Sequence, residues 1–199
     1  MERIVKFPWD EINGEPRVEK EENSWIIKYL SDKEIPLSYT NKPQKEEQIK
    51  KIAHCLFGSR NFILLVSKDS AYIKSIYYWL ASIWVTTTET GFEICDPAKI
   101  NSFDKDYKEV LDRLEHASLL MIPYTDPSDY SLRRIKNALG GILAKRKAAN
   151  RPTITDVFSK KEISNQEIPN LVGSLSPVFG EQCVPMFLTE NTNSKIIKV

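Results

Sequence analysis

The stretch "VSKDSAYIKSIYY" (66–78) holds the residues best suited to chemistry, Lys74 followed by Ser75. A lysine and a hydroxyl placed just after an apolar run form the end of the phosphate-binding template G-x-x-x-x-G-K-[ST], in which the lysine neutralises phosphate charge and the hydroxyl holds magnesium. The template's two glycines fall on Lys68 and Ile73. Glycine is needed there because the backbone N–H groups must curl closely around phosphate. A β-branched residue such as Ile resists the positive φ angles this requires. The pair therefore reads either as a phosphate contact without its cradle or, more simply, as the first turns of a packed helix.

A second constellation is basic. Between Asp129 and Asp156 there is no acidic residue, whereas Arg133, Arg134, Lys136, Lys145, Arg146, Lys147 and Arg151 are all cationic. Such a stripe could bind nucleic-acid phosphates. It equally fits a solvated helix whose last-turn Lys145, Arg146 and Lys147 complement the negative helix C-terminus. His54 and His116 have no partners at metal or triad spacing, and no metal site is expected.

Composition bounds what these residues can serve. The chain has 199 residues, 41% hydrophobic and 28% charged, which suits one soluble domain with a real core. A net charge of +1 excludes a general attraction to nucleic acid or membrane and leaves only local patches. Three scattered cysteines (Cys55, Cys95, Cys183) form no disulfide framework and fit a reducing cytosol. No apolar run approaches the ~18 residues of a membrane span, and "MERIVKFPWDEINGEP" lacks a signal-peptide core. A cytoplasmic location is expected.

The elements that must position the two constellations follow from periodicity. Residues 1–43 are polar and acid-leaning, with only "SWIIKYL" (24–30) able to pack, and read as an N-terminal arm; 44–199 reads as the domain. "PQKEEQIKKIAHCLFG" (43–58) is an amphipathic helix that ends at Gly58. The strands expected are "FILLV" (62–66), "FEIC" (92–95), "SLLMI" (118–122), "PTIT" (152–155) and "CVPMFL" (183–188). Their continuous apolar runs suit strands covered on both faces. Helices are expected at "IKSIYYWLASIWV" (73–85), "FDKDYKEVLDRLEHA" and "DYSLRRIKNALGGILAKRKAAN". Alternation of the two types implies an α/β fold, a parallel sheet of about five strands with helices on both faces. The helix 73–85 is apolar nearly all round and should be buried. Gly140-Gly141 weakens the long helix by about 1 kcal/mol per glycine, marking either a close approach or a tolerated flaw.

At "YKEVLDRLEHASLLMIPYTDPSDYSLRRIKNALGGILAKRKAANRPTITDV" (107–157) the chain resembles the AAA+ P-loop ATPase domain of bacterial replicative-helicase loaders of the DnaC/DnaI type, and the related IstB-like transposition helpers. "EIPLSYTNKPQKEEQIKKIAHCLFGSRNFILLV" (34–66) is similar to the lead-in helix and first strand of that family, so the resemblance spans roughly 34–190. It implies a Walker B strand at "LLMI" and a sensor-1 strand after "RPTI".

The departures from the family pattern fall on its chemistry. Pro123 and Tyr124 stand where the Walker B acids belong, and Asp126 reads as a turn residue in "TDPSD". Asp156 or Val157 occupies the sensor-1 position, where an anion would repel a γ-phosphate, and Ser174 stands where the family often carries an arginine that reaches a neighbouring subunit. Phosphoryl transfer rests on positioning and charge neutralisation, so losing these groups together should abolish it. The resemblance then implies a non-catalytic protein of DNA replication or mobile-element maintenance. It would bind a replicative helicase or an active AAA+ homologue, with DNA contact and self-association as further expectations. The alternatives are a residual ATP-binding switch or weak ATPase working through Lys74 and Ser75, and an unrelated scaffold on the same fold.

Overall fold

The computed structural model describes residues 24–35, 46–58, 61–88, 90–95, 100, 105–125, 130–159, 163–180 and 194–199. In chain order these form α1 (Ser24–Asp32), α2 (Glu46–Phe57), β1 (Phe62–Ser67), α3 (Ser70–Thr88), β2 (Phe92–Ile94), α4 (Tyr107–His116), β3 (Leu119–Thr125), α5 (Tyr130–Ala148), β4 (Thr153–Phe158), α6 (Ile168–Gly173), α7 (Ser176–Phe179) and β5 (Ser194–Lys198). The strands make one five-stranded sheet in the order β2-β3-β4-β1-β5, with every neighbouring pair parallel. The α/β expectation is met.

Alternate residues of each strand feed opposite layers, as a pleated strand requires. Ile63 and Leu65 of β1, with Leu119 and Met121 of β3, pack under α1, α2 and α3. Phe62, Leu64 and Val66, with Leu120 and Ile122, pack under α4, α5, α6 and α7. This two-sided demand is why the runs are apolar without alternation. Helix α3 is buried as expected, with Ile73, Ile76, Tyr77, Leu80, Ala81 and Trp84 in the first layer.

Two features go beyond what periodicity announced. The fifth strand is Ser194–Lys198, pairing Phe62–Val66 of β1, while the expected "CVPMFL" (183–188) lies outside the described residues. Within the segment read as the N-terminal arm, Leu30 and Ile35 are buried in the same cluster as α2 and α3. Helix α1 ends in a Schellman motif: Ile35 N–H donates to Leu30 O at 2.9 Å, Glu34 N–H donates to Ser31 O at 2.9 Å, and Glu34 sits at φ 57°. Burial of Leu30 and Ile35 is the apolar contact that accompanies this ending.

Helix α5 ends the same way. Arg151 N–H donates to Arg146 O at 2.8 Å, Asn150 N–H to Lys147 O at 3.1 Å, and Asn150 takes the left-handed φ of 53°. Pro152 then stops the helix and starts the run into β4. At Gly141 an added Cβ would meet nothing within 4 Å, so that glycine marks no close approach among the described residues.

Candidate functional site

In open α/β sheets, ligands bind beyond the carboxyl ends of the strands, where neighbouring crossovers leave in opposite directions. Here that place lies between β1, whose chain turns into α3 toward β2, and β4, whose chain crosses toward β5. Only Lys68 and Asp69 separate β1 from α3. The helix therefore begins within the segment the template assigns to the loop, and Ala71, Tyr72 and Ile73 are already helical.

Side chains stitch this turn shut. Asp69 N–H donates to Ser67 Oγ at 3.0 Å, and Asp69 Oδ1 accepts the Tyr72 N–H at 3.0 Å. That is an N-cap, placing a carboxylate on the helix N–H groups that would otherwise receive an anion. Ile73, at the template's second glycine, is 2% exposed and packs in the core.

Lys74 and Ser75 fall in the second turn of α3. Lys74 is exposed, with Nζ 5.6 Å from the Tyr78 ring centroid, and Ser75 Oγ donates to Ala71 O at 3.2 Å. The reading of this pair as the opening turns of a packed helix is the one this geometry matches. A cavity of about 260 Å³ does open nearby, lined by Gln48, Ser67, Lys68, Ser159, Ile163 and Lys198 among others, but not by Lys74 or Ser75. Lys198 Nζ donates to Ile163 O at 2.5 Å on its wall.

The ends of β3 and β4 carry a different arrangement. Asp156 is 3% exposed, opposite Leu65 of β1, and its Oδ1 accepts the Tyr77 hydroxyl at 2.8 Å. The same hydroxyl lies 3.2 Å from Ile122 O, which also accepts Thr155 Oγ1 at 3.1 Å. Burial, then the Asp156 carboxylate beside it, pushes the Tyr77 phenol well above its ordinary range, so it stays a donor. Immediately past Ile122 the β3–β4 register shifts before Thr125. Pro123 accounts for this, since it has no N–H for the ladder.

The basic residues do not share one surface. Lys136 is exposed, and so is Lys145, whose Nζ pairs with Glu115 Oε2 at 2.8 Å. That bond holds the Glu115 carboxyl below its usual range. Lys147 is half-buried with Nζ 5.3 Å from the Phe62 ring centroid, and Arg151 Nη1 donates to Glu115 O at 2.6 Å. The side chains of Arg133 and Arg134 lie outside the described residues.

Arg146 leaves the expected surface altogether. It is 0% exposed and donates through Nε to Thr153 Oγ1 at 2.9 Å, through Nη1 to the carbonyls of Leu114, Glu115 and Ala117 at 3.0, 3.0 and 2.8 Å, and through Nη2 to Pro152 O at 2.6 Å. Three of those carbonyls belong to the end of α4 and the turn after it, where acceptors lack helical partners. Burial and the nearby Arg151 lower its pKa to about 10, which leaves it charged at neutral pH. It ties α4, α5 and β4 together.

Two solved structures share this architecture. The DnaC helicase loader superposes with a TM-score of 0.54 at 11% identity, covering 77% of this chain and 87% of that one. DnaI superposes with a TM-score of 0.53 at 16% identity, covering 87% of this chain and 92% of that one. The fold is the helicase-loader fold. No protein-family model and no curated protein sequence matches the chain.

Within that loader fold, the segment order read from 34–66 and 107–157 is the feature legible in sequence. The Asp69 cap and the Tyr77–Asp156 bond are not template positions and were not anticipated. One signal was available for the first, an Asp directly ahead of a helical apolar pattern, which marks a helix start.

Proposed function

We propose that this chain is a non-catalytic AAA+-like protein that serves DNA replication or mobile-element maintenance by binding a protein partner. The partner would be a replicative helicase or an active AAA+ homologue, with DNA as a second ligand. One observation carries the reading: the Asp69 carboxylate occupies the N-terminus of α3 while Ile73 is anchored in the core, leaving no phosphate cradle ahead of Lys74 and Ser75. Pro123 and Tyr124 offer no carboxylate for magnesium at the end of β3. Without metal carboxylates and a cradle, the charge that develops on a transferring phosphoryl group is not neutralised. The replication context is supported by the likeness in fold to a protein described as a helicase loader.

A titration with a fluorescent ATP analogue, with and without magnesium, tests the non-catalytic part. No saturable binding is expected up to millimolar nucleotide. Micromolar binding that disappears in Lys74→Ala would establish an ATP switch instead. Co-elution with the replicative helicase of the same organism tests the partner, and failure to form a complex removes that assignment. Binding to single-stranded DNA should fall steeply with salt and weaken further in Arg133→Glu with Arg134→Glu.

A further inference from the structure

The cavity of about 260 Å³ beyond the carboxyl ends of β1 and β5 has a fixed floor. Val199 N–H donates to Val66 O at 2.9 Å and Ser159 N–H donates to Ser67 O at 2.9 Å, which carries the ladder past the strand ends on both sides of β1. Lys198 stands opposite Val66 in the β1–β5 register and so shares its face of the sheet. The Lys198 ammonium is anchored by its bond to Ile163 O at 2.5 Å. Lys68 follows β1 directly and lines the same cavity.

The acceptors around this floor are taken within the protein. Ile163 O receives Lys198, and Val66 O and Ser67 O receive backbone N–H groups. Ser67 Oγ accepts the Asp69 N–H at 3.0 Å. Gln48, in the first turn of α2, accepts the Tyr72 hydroxyl on Oε1 at 2.8 Å, which leaves its Nε2 to donate. Lys68 and Lys198 are exposed, and neither is ion-paired with a carboxylate among the described residues. Lys198 keeps two of its three ammonium protons after bonding Ile163 O. The cavity therefore presents donors, two of them charged, and that selects an anion.

The kind of anion follows from what else is present. The N–H groups of Asp69, Tyr72, Ser159 and Val199 are already bonded, so they form no nest for a phosphate. Val66, Ile163 and Val199 add aliphatic surface to the lining. Two cationic groups beside aliphatic surface match a short carbon chain with an acid at each end.

We infer that this cavity binds a small aliphatic dicarboxylate, with one carboxylate on Lys68, the other on Lys198, and Gln48 Nε2 as the neutral donor. It is a ligand site apart from Lys74 and Ser75, and it goes beyond the partner binding proposed above.

Titration of the full chain with glutarate, followed by calorimetry and amide NMR shifts, tests this. Saturable binding with a Kd of about 1 mM or below is expected. Glutarate should bind at least about fivefold tighter than acetate or inorganic phosphate. Lys68→Met keeps an apolar stem without the charge and should weaken glutarate at least about fivefold. Lys198→Met should do the same, and Lys68→Met decides if loss of the Ile163 bond loosens the fold. Lys108→Met, which removes an exposed charge from α4, should leave the affinity unchanged. No saturable binding below about 10 mM glutarate would overturn the inference. So would acetate or phosphate binding as tightly as glutarate, or an affinity that Lys68→Met leaves unchanged.

Discussion

The Asp69 carboxylate sits on the Tyr72 backbone N–H at 3.0 Å, so the helix that follows the first strand meets its own side-chain anion where the sheet's ligand would approach. A capping aspartate is worth about 1 kcal/mol to a helix. It also sets a negative charge against any phosphate brought to the same N–H groups.

Asp69→Ala should therefore lower stability by about 1 kcal/mol in urea titration, with the m-value unchanged. Nucleotide binding should not emerge in the variant, because Ile73 remains packed in the core where a phosphate loop needs glycine. Appearance of binding would show that the carboxylate alone keeps nucleotide out.

Arg146 is the substitution expected to cost most. Arg146→Ala takes the guanidinium donor from the carbonyls of Leu114 and Ala117, leaves Glu115 O with Arg151 and Pro152 O with the Leu120 N–H, and opens a cavity between α4, α5 and β4. A loss of about 3–5 kcal/mol is expected. Arg146→Lys should recover little of it, since an ammonium cannot span five acceptors held in a planar fork. Thermal denaturation of both variants checks the order.

Tyr77→Phe removes the donor to Asp156 and leaves a buried carboxylate short of that hydrogen bond, a loss of about 1–3 kcal/mol in denaturant titration. The pH dependence has a definite sign. The phenols of Tyr77, Tyr72 and Tyr29 are all raised above the ordinary 10.0, so the folded chain holds their protons longer than the unfolded chain does. Their contribution is fully present below pH 10 and is lost as pH rises above it. Stability should fall through that window, and less steeply in Tyr77→Phe. The phenolate absorbance of Tyr77 should appear only with unfolding.

Glu34 and Asn150 are the two non-glycine residues at positive φ among the described residues, each two residues past the end of a helix. Glu34→Gly should stabilise the chain by up to about 1 kcal/mol by relieving the left-handed backbone while keeping the Ile35 to Leu30 bond. A melting temperature that falls instead would mean the glutamate side chain contributes more than its backbone costs.

Much of the architecture was readable because it rests on local pattern. The runs 62–66 and 118–122 announce strands covered on both faces, and the buried alternation of Ile63 and Leu65 against Phe62 and Leu64 is the physical content of that signal. The long helix from Tyr130 and its stop before Pro152 were equally plain. The last strand was not. "SKIIK" is short and flanked by lysines, and it becomes a strand through its pairing with β1.

For the site, sequence determined which groups are present: Lys74 and Ser75 without glycines, Pro123 and Tyr124 without acids, and a run of basic residues along one helix. Tertiary structure decided where those groups point. A one-turn difference in where α3 begins turns a loop into a capped helix, and the choice depends on Ile73 finding a core to enter. Arg146 and Lys145 are adjacent and chemically alike in the sequence. Their 100° separation around the helix buries one against the end of α4 and leaves the other in solvent on Glu115. The identity of a charge is local information, whereas its burial is set by what packs over it.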